Sequence, residues 1–242
     1  MSVVSLLAAI LLPVVSRSRA ECKRVVCLSN IRQLWVAAQV YVGENGGYYP
    51  MAYITDPNPN DSMAIYTYWD FTQTKDLATG EIQIKPGLLW QSQTSDKVQQ
   101  CPAFQGNANS DDPYTGYNYN TSYIGHGSNE TVKIPEKAEN VRKPEECALF
   151  GDGEYSDGAN KFMRAPFKSS SSKFAYPTAG TQGYRHGGMT NVVWCDGHAS
   201  SQKELYTDTS ESGGKKRLEA YNKTAKVKTG FLSPDNGVYD LE

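Results

Sequence analysis

Apolar residues are distributed unevenly along this 242-residue chain. From Ser2 to Ser16, "SVVSLLAAILLPVVS", they are almost continuous, broken only by serines and Pro13. From Cys27 onward they thin to a helical spacing, Cys27, Leu28, Ile31, Leu34, Trp35, Ala38, Tyr41 and Val42, which makes a single apolar stripe. Asn30, Arg32, Gln33 and Gln39 are assigned to the remaining surface. The two patterns join without a break, so they predict one helix over about residues 3–45. Asn45, Gly46 and Gly47 supply a left-handed end, and Pro50 prevents resumption. Pro13 is expected to bend it. The first half is apolar all round and requires lipid or other helices, with Leu6, Leu7, Ile10, Leu11, Leu12, Pro13, Val14 and Val15 as its contact residues. The second half requires a globular body against one face.

That body, residues 51–242, has short alternating runs separated by turn residues. "AIYTYWDF" (64–71) reads as one strand, with Thr67, Trp69 and Phe71 on one face. Further strands are expected in 80–91 before Pro86-Gly87, over 117–125, and at Cys147–Phe150 running into the acidic loop "GDGEYSDG". A hairpin around residue 196 closes the sheet, and the tail carries one short helix. The expected fold class is therefore α+β: a long N-terminal helix, residues 1–50, packed on an antiparallel, loop-rich β head, residues 51–242. Sixteen tyrosines, 21 glycines and 12 prolines agree with a β-rich, loop-rich body. A net charge of −2 argues against a nucleic-acid partner. Arg17, Arg19, Lys23 and Arg24 follow the apolar opening, where they can meet lipid headgroups.

The apolar opening spans about 13 residues, short of the ~20 needed to cross a bilayer. A secretory signal carries its positive charge before the apolar run; here the charge follows it, although "SRA" before Glu21 is a tolerable cleavage site. The five cysteines, 22, 27, 101, 147 and 195, include no C-x-x-C pair. One bridge outside the cytoplasm, Cys27 with Cys101, is the candidate, against a reading of most of them as small buried hydrophobes.

Candidate chemistry centres on "RHGGMTNVVWCDGHAS" (185–200). Asp196-Gly197 is a preferred pair for a two-residue type I′ turn, which would put Cys195 opposite His198 and Trp194 opposite Ala199. A zinc site of His186, Asp196 and His198 would need convergent ligands, whereas a turn-tip aspartate usually points outward. The stretch is read as a turn, pinned at most by a hydrogen bond from His186. Asp152, Glu154 and Asp157 could gather round calcium or form a solvated acidic loop. Tyr66, Tyr68, Trp69, Tyr117 and Tyr119 could make a sugar-stacking platform, but core and sheet-face roles are expected. There is no P-loop, G-x-S-x-G, H-E-x-x-H or G-x-G-x-x-G motif, so no enzyme activity or cofactor is expected.

The N-terminal pattern resembles that of type IV pilins and type II secretion pseudopilins, specifically a large-headed pseudopilin group. The likeness rests on Leu11-Leu12-Pro13, a basic segment, Cys27, Asn30-Ile31-Arg32-Gln33, and Asn45, Gly47, Tyr49 and Pro50. It continues through Gly87-Leu88-Leu89-Trp90, Cys101-Pro102, Tyr117–Asn120, Lys143-Pro144 with Phe150-Gly151-Asp152, and a C-terminal H-x9-D-G signature at His186, Asp196 and Gly197. The resemblance implies a membrane-anchored filament subunit, assembling with itself or with other pilin-like chains from the inner membrane, its head in the periplasm or outside the cell. It also implies that Met1 lies about nine residues inside a mature chain cut and methylated by prepilin peptidase upstream. Major pseudopilins hold calcium in a loop of the body that does not align here. A secreted glycan- or ligand-binding module, with residues 1–20 removed as a signal, is the alternative. A metal-dependent extracytoplasmic enzyme comes third.

Overall fold

The computed structural model describes residues 3–56, 62–91, 98–108, 112–127, 132–156, 158–168 and 176–242. Asp157 and the side chain of Leu6 lie outside the described residues. The fold is α+β. Helix α1 (Val3–Glu44) runs through Pro13 without interruption. It ends as its sequence requires: Gly46 and Gly47 take φ of +63° and +86°, and the Gly47 N–H closes onto the Val42 carbonyl at 2.9 Å.

Four strands, β1 (Tyr53–Asp56), β2 (Met63–Tyr68), β3 (Phe71–Asp76) and β4 (Ile82–Pro86), follow as an antiparallel meander in chain order. The run 64–71, expected as one strand, is broken at Trp69-Asp70 into a hairpin. Both of those side chains are buried inward, so the apolar alternation continues through a turn instead of along a strand. The main sheet is built from β5 (Asn118–Asn120), β6 (Ala148–Gly151), β7 (Phe162–Met163), β9 (Thr190–Trp194) and β10 (Ala199–Gln202), in the order β10-β9-β6-β5-β7. Only β5 with β7 is parallel. The strand expected over 117–125 is thus three residues long. Strands β8 (Gln182–Gly183) and β11 (Thr229–Gly230) form a small separate pair, beside helix α2 (Gly214–Thr224).

The second half of α1 lies across β6, β9 and β10. Cys27, Ile31, Leu34 and Ala38 are buried there, while Leu28, Trp35 and Tyr41 are half-buried at the edges of the stripe. They meet Tyr119, Phe150 and Val193 from the sheet, where the Tyr119 and Phe150 rings stack at 5.0 Å and Trp69 packs at 5.3 Å from Phe150. Trp69, Tyr117 and Tyr119 are therefore core residues. The opposite face of the sheet is covered by Leu232 and Tyr239 against Val192 and Trp194. With both faces covered, β9 is buried at every position, which explains its unalternating "TNVVW". Asn30, assigned to the surface, is buried and donates to the Gln100 carbonyl at 3.3 Å.

The Asp196-Gly197 hairpin forms, one residue out of the expected register: Ala199 faces Val193, and Trp194 N–H donates to His198. Gly197 has φ +92°, Asp196 does not enter the positive-φ region, and the Gly197 N–H donates to Trp194 at 2.9 Å. This is a three-residue loop with a glycine bulge. The helix accounts for the choice. Trp35 donates its Nε1 proton to the Cys195 carbonyl at 2.9 Å, and a Cβ on Gly197 would stand 2.7 Å from the Trp35 ring. The loop is shaped to seat on α1.

A buried ionic group ties the meander to the main sheet. Lys161, just before β7, pairs with Asp70 from the β2–β3 turn and, at 3.0 Å, with Asp112. Burial raises the carboxyl pKa of Asp70, and raises that of Asp112 to about 6, against the lowering influence of Lys161. A carboxyl raised on folding binds protons more tightly in the folded state, so its contribution is full below the unfolded value near 3.8 and is lost as pH rises through about 6. Asp112→Asn preserves an acceptor for the Tyr114 N–H and abolishes this loss. Between about pH 4 and pH 7, urea titrations should show the variant gaining about 2–3 kcal/mol on the wild type. A constant difference across that range would refute the assignment.

Candidate functional site

The most concentrated chemistry in the head is buried beneath α1. Four segments bring Cys27, Cys101, Asp152 and His186 together, with one ligand-type atom from each lying within 4.8 Å of all the others. Each segment is positioned by its own local rule. Among the described residues of α1, Cys27 is the first that is fully buried, carried inward by the apolar stripe. Cys101 sits in a turn closed by the Phe104 N–H on its carbonyl, and its own N–H donates to Thr115. Asp152 follows β6 and is held by the Asn191 N–H on Oδ2 at 2.8 Å. His186 opens a tight hairpin into β9: its N–H and that of Met189 are exchanged across Gly187 and Gly188, whose φ values are +65° and +83°. Two consecutive positive φ values are the type I′ signature. The turn expected at Asp196-Gly197 occurs here instead.

Within the cluster, Cys27 Sγ lies 3.1 Å from Asp152 Oδ1, His186 Nε2 lies 3.1 Å from Asp152 Oδ2, and Cys101 Sγ lies 3.6 Å from His186 Nε2. Arg185 stands behind them. Its guanidinium donates to Asp152 Oδ1 and Glu154 Oε2, both at 3.0 Å, to the carbonyls of Gly116 and Gly153, and packs over Phe104. Burial by itself would raise the Asp152 pKa; Arg185 and then His186 reverse this and hold it below the ordinary value. Burial likewise opposes charge on His186, but the hydrogen bond it donates to the Asp152 carboxylate and the contact with Cys101 lift its pKa to about 9. For Cys101 burial raises the pKa, yet Cys27, His186 and Arg185 bring it to about 5. Cys27, by contrast, is pushed well up, chiefly by burial.

A thiolate beside an imidazolium is nucleophilic chemistry. Cys101 is only 1% exposed, however, and the neighbouring cavity of about 500 Å³ is lined by Glu154, Arg185 and His186 but not by Cys101. The geometry therefore encloses the thiolate instead of presenting it to a substrate.

Several expected groupings are redistributed. His186 reaches the core cluster and not the 196 hairpin, so it does not pin that hairpin. Asp196 and His198 form a separate exposed pair, Oδ1 to Nδ1 at 2.7 Å, with His198 stacked on Trp194. The set His186, Asp196 and His198 does not converge. Asp152 and Glu154 are neither a solvated loop nor gathered about a shared opening: both are buried, and one guanidinium takes up their charge. Cys27 and Cys101, named as a candidate bridge, do come together, as free thiols. Sequence reasoning passed over Arg185 altogether, although it adjoins a singled-out histidine and is the strongest cation available to two singled-out acids.

The second notable region is the beginning of α1. Every residue from Ala9 to Lys23 is exposed. The large apolar side chains Leu7, Ile10, Leu11, Leu12, Val14 and Val15 are each 43% to 68% exposed. At the boundary Arg24 donates to Ser201 Oγ at 2.7 Å and its carbonyl receives Asn191 Nδ2 at 3.2 Å, and from Cys27 the helix enters the core. Along α1, full exposure thus gives way to burial between Lys23 and Cys27. Among the described residues no helix is long and apolar enough to cross a membrane. No protein-family model matches the chain, and neither a curated protein nor a solved structure is significantly similar to it.

Proposed function

We propose that this chain is a structural, pilin-like subunit that assembles through the first half of α1 into a filament of the type II secretion or type IV pilus kind, with the β head outside the helical core. One observation carries the reading: a single helix whose second half is built into the head while its first half, among the described residues, leaves six large aliphatic side chains exposed. Apolar surface of this extent on a stretch of helix exposed at every residue from Ala9 to Lys23 favours bundling with like helices from neighbouring copies. The motif order described above supports the same reading. Before assembly the basic residues after the stem would lie at the inner-membrane surface. The test is the N-terminus and fractionation of the protein in its own cells. The proposal expects a methylated terminus produced by prepilin peptidase, in membranes and sheared filaments. A soluble chain beginning at Glu21 would sink it.

A second reading, a ligand-binding head, is favoured by one feature. Tyr53, Tyr66, Tyr68, Phe71 and Phe162 line a cleft of about 360 Å³ that also reaches Lys161 and Arg164. Aromatic faces with polar groups at the rim suit sugar rings. A glycan array probed with the head discriminates, since a filament subunit without a ligand gives no selective signal.

A further inference from the structure

We propose that Cys27, Cys101, Asp152 and His186 form a closed, four-coordinate site for Zn²⁺ that fastens the stem helix to the head at the point where α1 enters the core. Such a site would stand whether or not the chain forms filaments. Zinc bound tetrahedrally by thiolate sulfur, imidazole nitrogen and carboxylate oxygen sets neighbouring ligand atoms about 3.3–3.6 Å apart. One ligand-type atom from each of the four lies within 4.8 Å of all the others, and Cys101 Sγ stands 3.6 Å from His186 Nε2, the length of such an edge. Cys27 and His186 each lie 3.1 Å from Asp152 but on its two different oxygens, so one oxygen would take the ion while the other keeps its outer hydrogen bonds. The donors are two thiols, one imidazole and one carboxylate, a set that suits a borderline-soft ion and not calcium or magnesium. All four residues are buried, leaving no open position for substrate, which is the pattern of a structural site.

The surroundings fit as well. Asp152 is oriented by the Asn191 N–H and by Arg185, as outer partners orient metal ligands. Charge also balances: three anionic ligands are offset by the ion and Arg185, and the remaining charge of Glu154 borders a cavity that Lys23 and Lys226 also line. Coordination displaces the thiol and Nε2 protons to solvent. Because the ligands come from α1, the 101 turn, the end of β6 and the turn between β8 and β9, one ion would join four segments far apart in sequence.

The test uses full-length, reduced, metal-free protein titrated with Co²⁺ as an optical probe and then with Zn²⁺. The expected result is one Co²⁺ per chain, with the intense visible bands of a four-coordinate site and thiolate-to-metal charge transfer, all displaced by one Zn²⁺. Cys101→Ser and His186→Gln should each weaken binding at least about 100-fold, while Cys22→Ser at an exposed thiol should not. His186→Cys, which keeps four ligands, should retain tight binding and so separates ligand loss from misfolding. Absence of charge transfer in protein whose thiols are verified as reduced overturns the site. So does a Cys27–Cys101 disulfide in protein isolated from cells without reductant.

Discussion

Arg185→Met is expected to destabilise the head by about 3–5 kcal/mol, measured by urea unfolding in the presence of chelator. The guanidinium is buried and answers two buried carboxylates and two backbone carbonyls at once. Methionine fills much of the same volume over Phe104, so packing loss is small and the cost is electrostatic: the buried Glu154 loses the guanidinium that answered it, and Asp152 keeps only His186 as a cation. Two further variants isolate that cause. Arg185→Lys keeps the charge but cannot span both acids in the same fork, and should fall between wild type and Arg185→Met. Adding Glu154→Gln to Arg185→Met removes one of the two buried charges that the guanidinium answered and should recover about 1–2 kcal/mol. If the double variant is no more stable than the single one, the arginine acts through shape and not through charge.

Arg185 also marks the boundary of what the sequence makes legible. Helix α1 was readable from end to end because its signals are local: spacing of Cys27, Ile31, Leu34 and Ala38, then Asn45-Gly46-Gly47. The hairpin at 196 was readable as a hairpin, but its register was not. Asp-Gly serves both a type I′ turn and a glycine bulge, and the deciding contact, Gly197 against Trp35, comes from another element. The same ambiguity hid the turn at Trp69-Asp70, where alternation persists although the chain reverses. Meanwhile it is Gly187-Gly188 that holds the two positive φ values. The cluster under α1 was legible only in fragments. Asp152 was grouped with Glu154 and Asp157, and His186 with Asp196 and His198, because proximity in sequence was the only guide to them; the pairing of Cys27 with Cys101 alone reached across the chain. Asp152 leaves that grouping once β6 pairs with β9, since this pairing brings the Asn191 N–H and the His186 turn beside it. Long-range strand pairing builds the site, and no single segment carries a signature of it.

The stem allows the sharpest separation of stability from assembly. Leu11→Lys combined with Val15→Lys is expected to abolish association with membranes or filaments while leaving the unfolding midpoint of the head unchanged. Both side chains are exposed, at 58% and 43%, and lie in the stretch of α1 that precedes the buried stripe, so the head loses no packing. Burying the six exposed aliphatic side chains of the stem against neighbouring helices or acyl chains is worth on the order of 6 kcal/mol, since each is already about half covered. Placing two lysines in that apolar environment costs about 5–7 kcal/mol on insertion scales. The two amounts cancel, which turns a stable association into one too weak to sediment. Conservative exchanges at the same places, Leu11→Ile and Val15→Ile, keep the apolar surface and should assemble normally. Sheared-filament yield and vesicle flotation supply the readout. If the lysine variant still assembles with its head intact, contacts between heads hold the copies together, and the stem must then have another role.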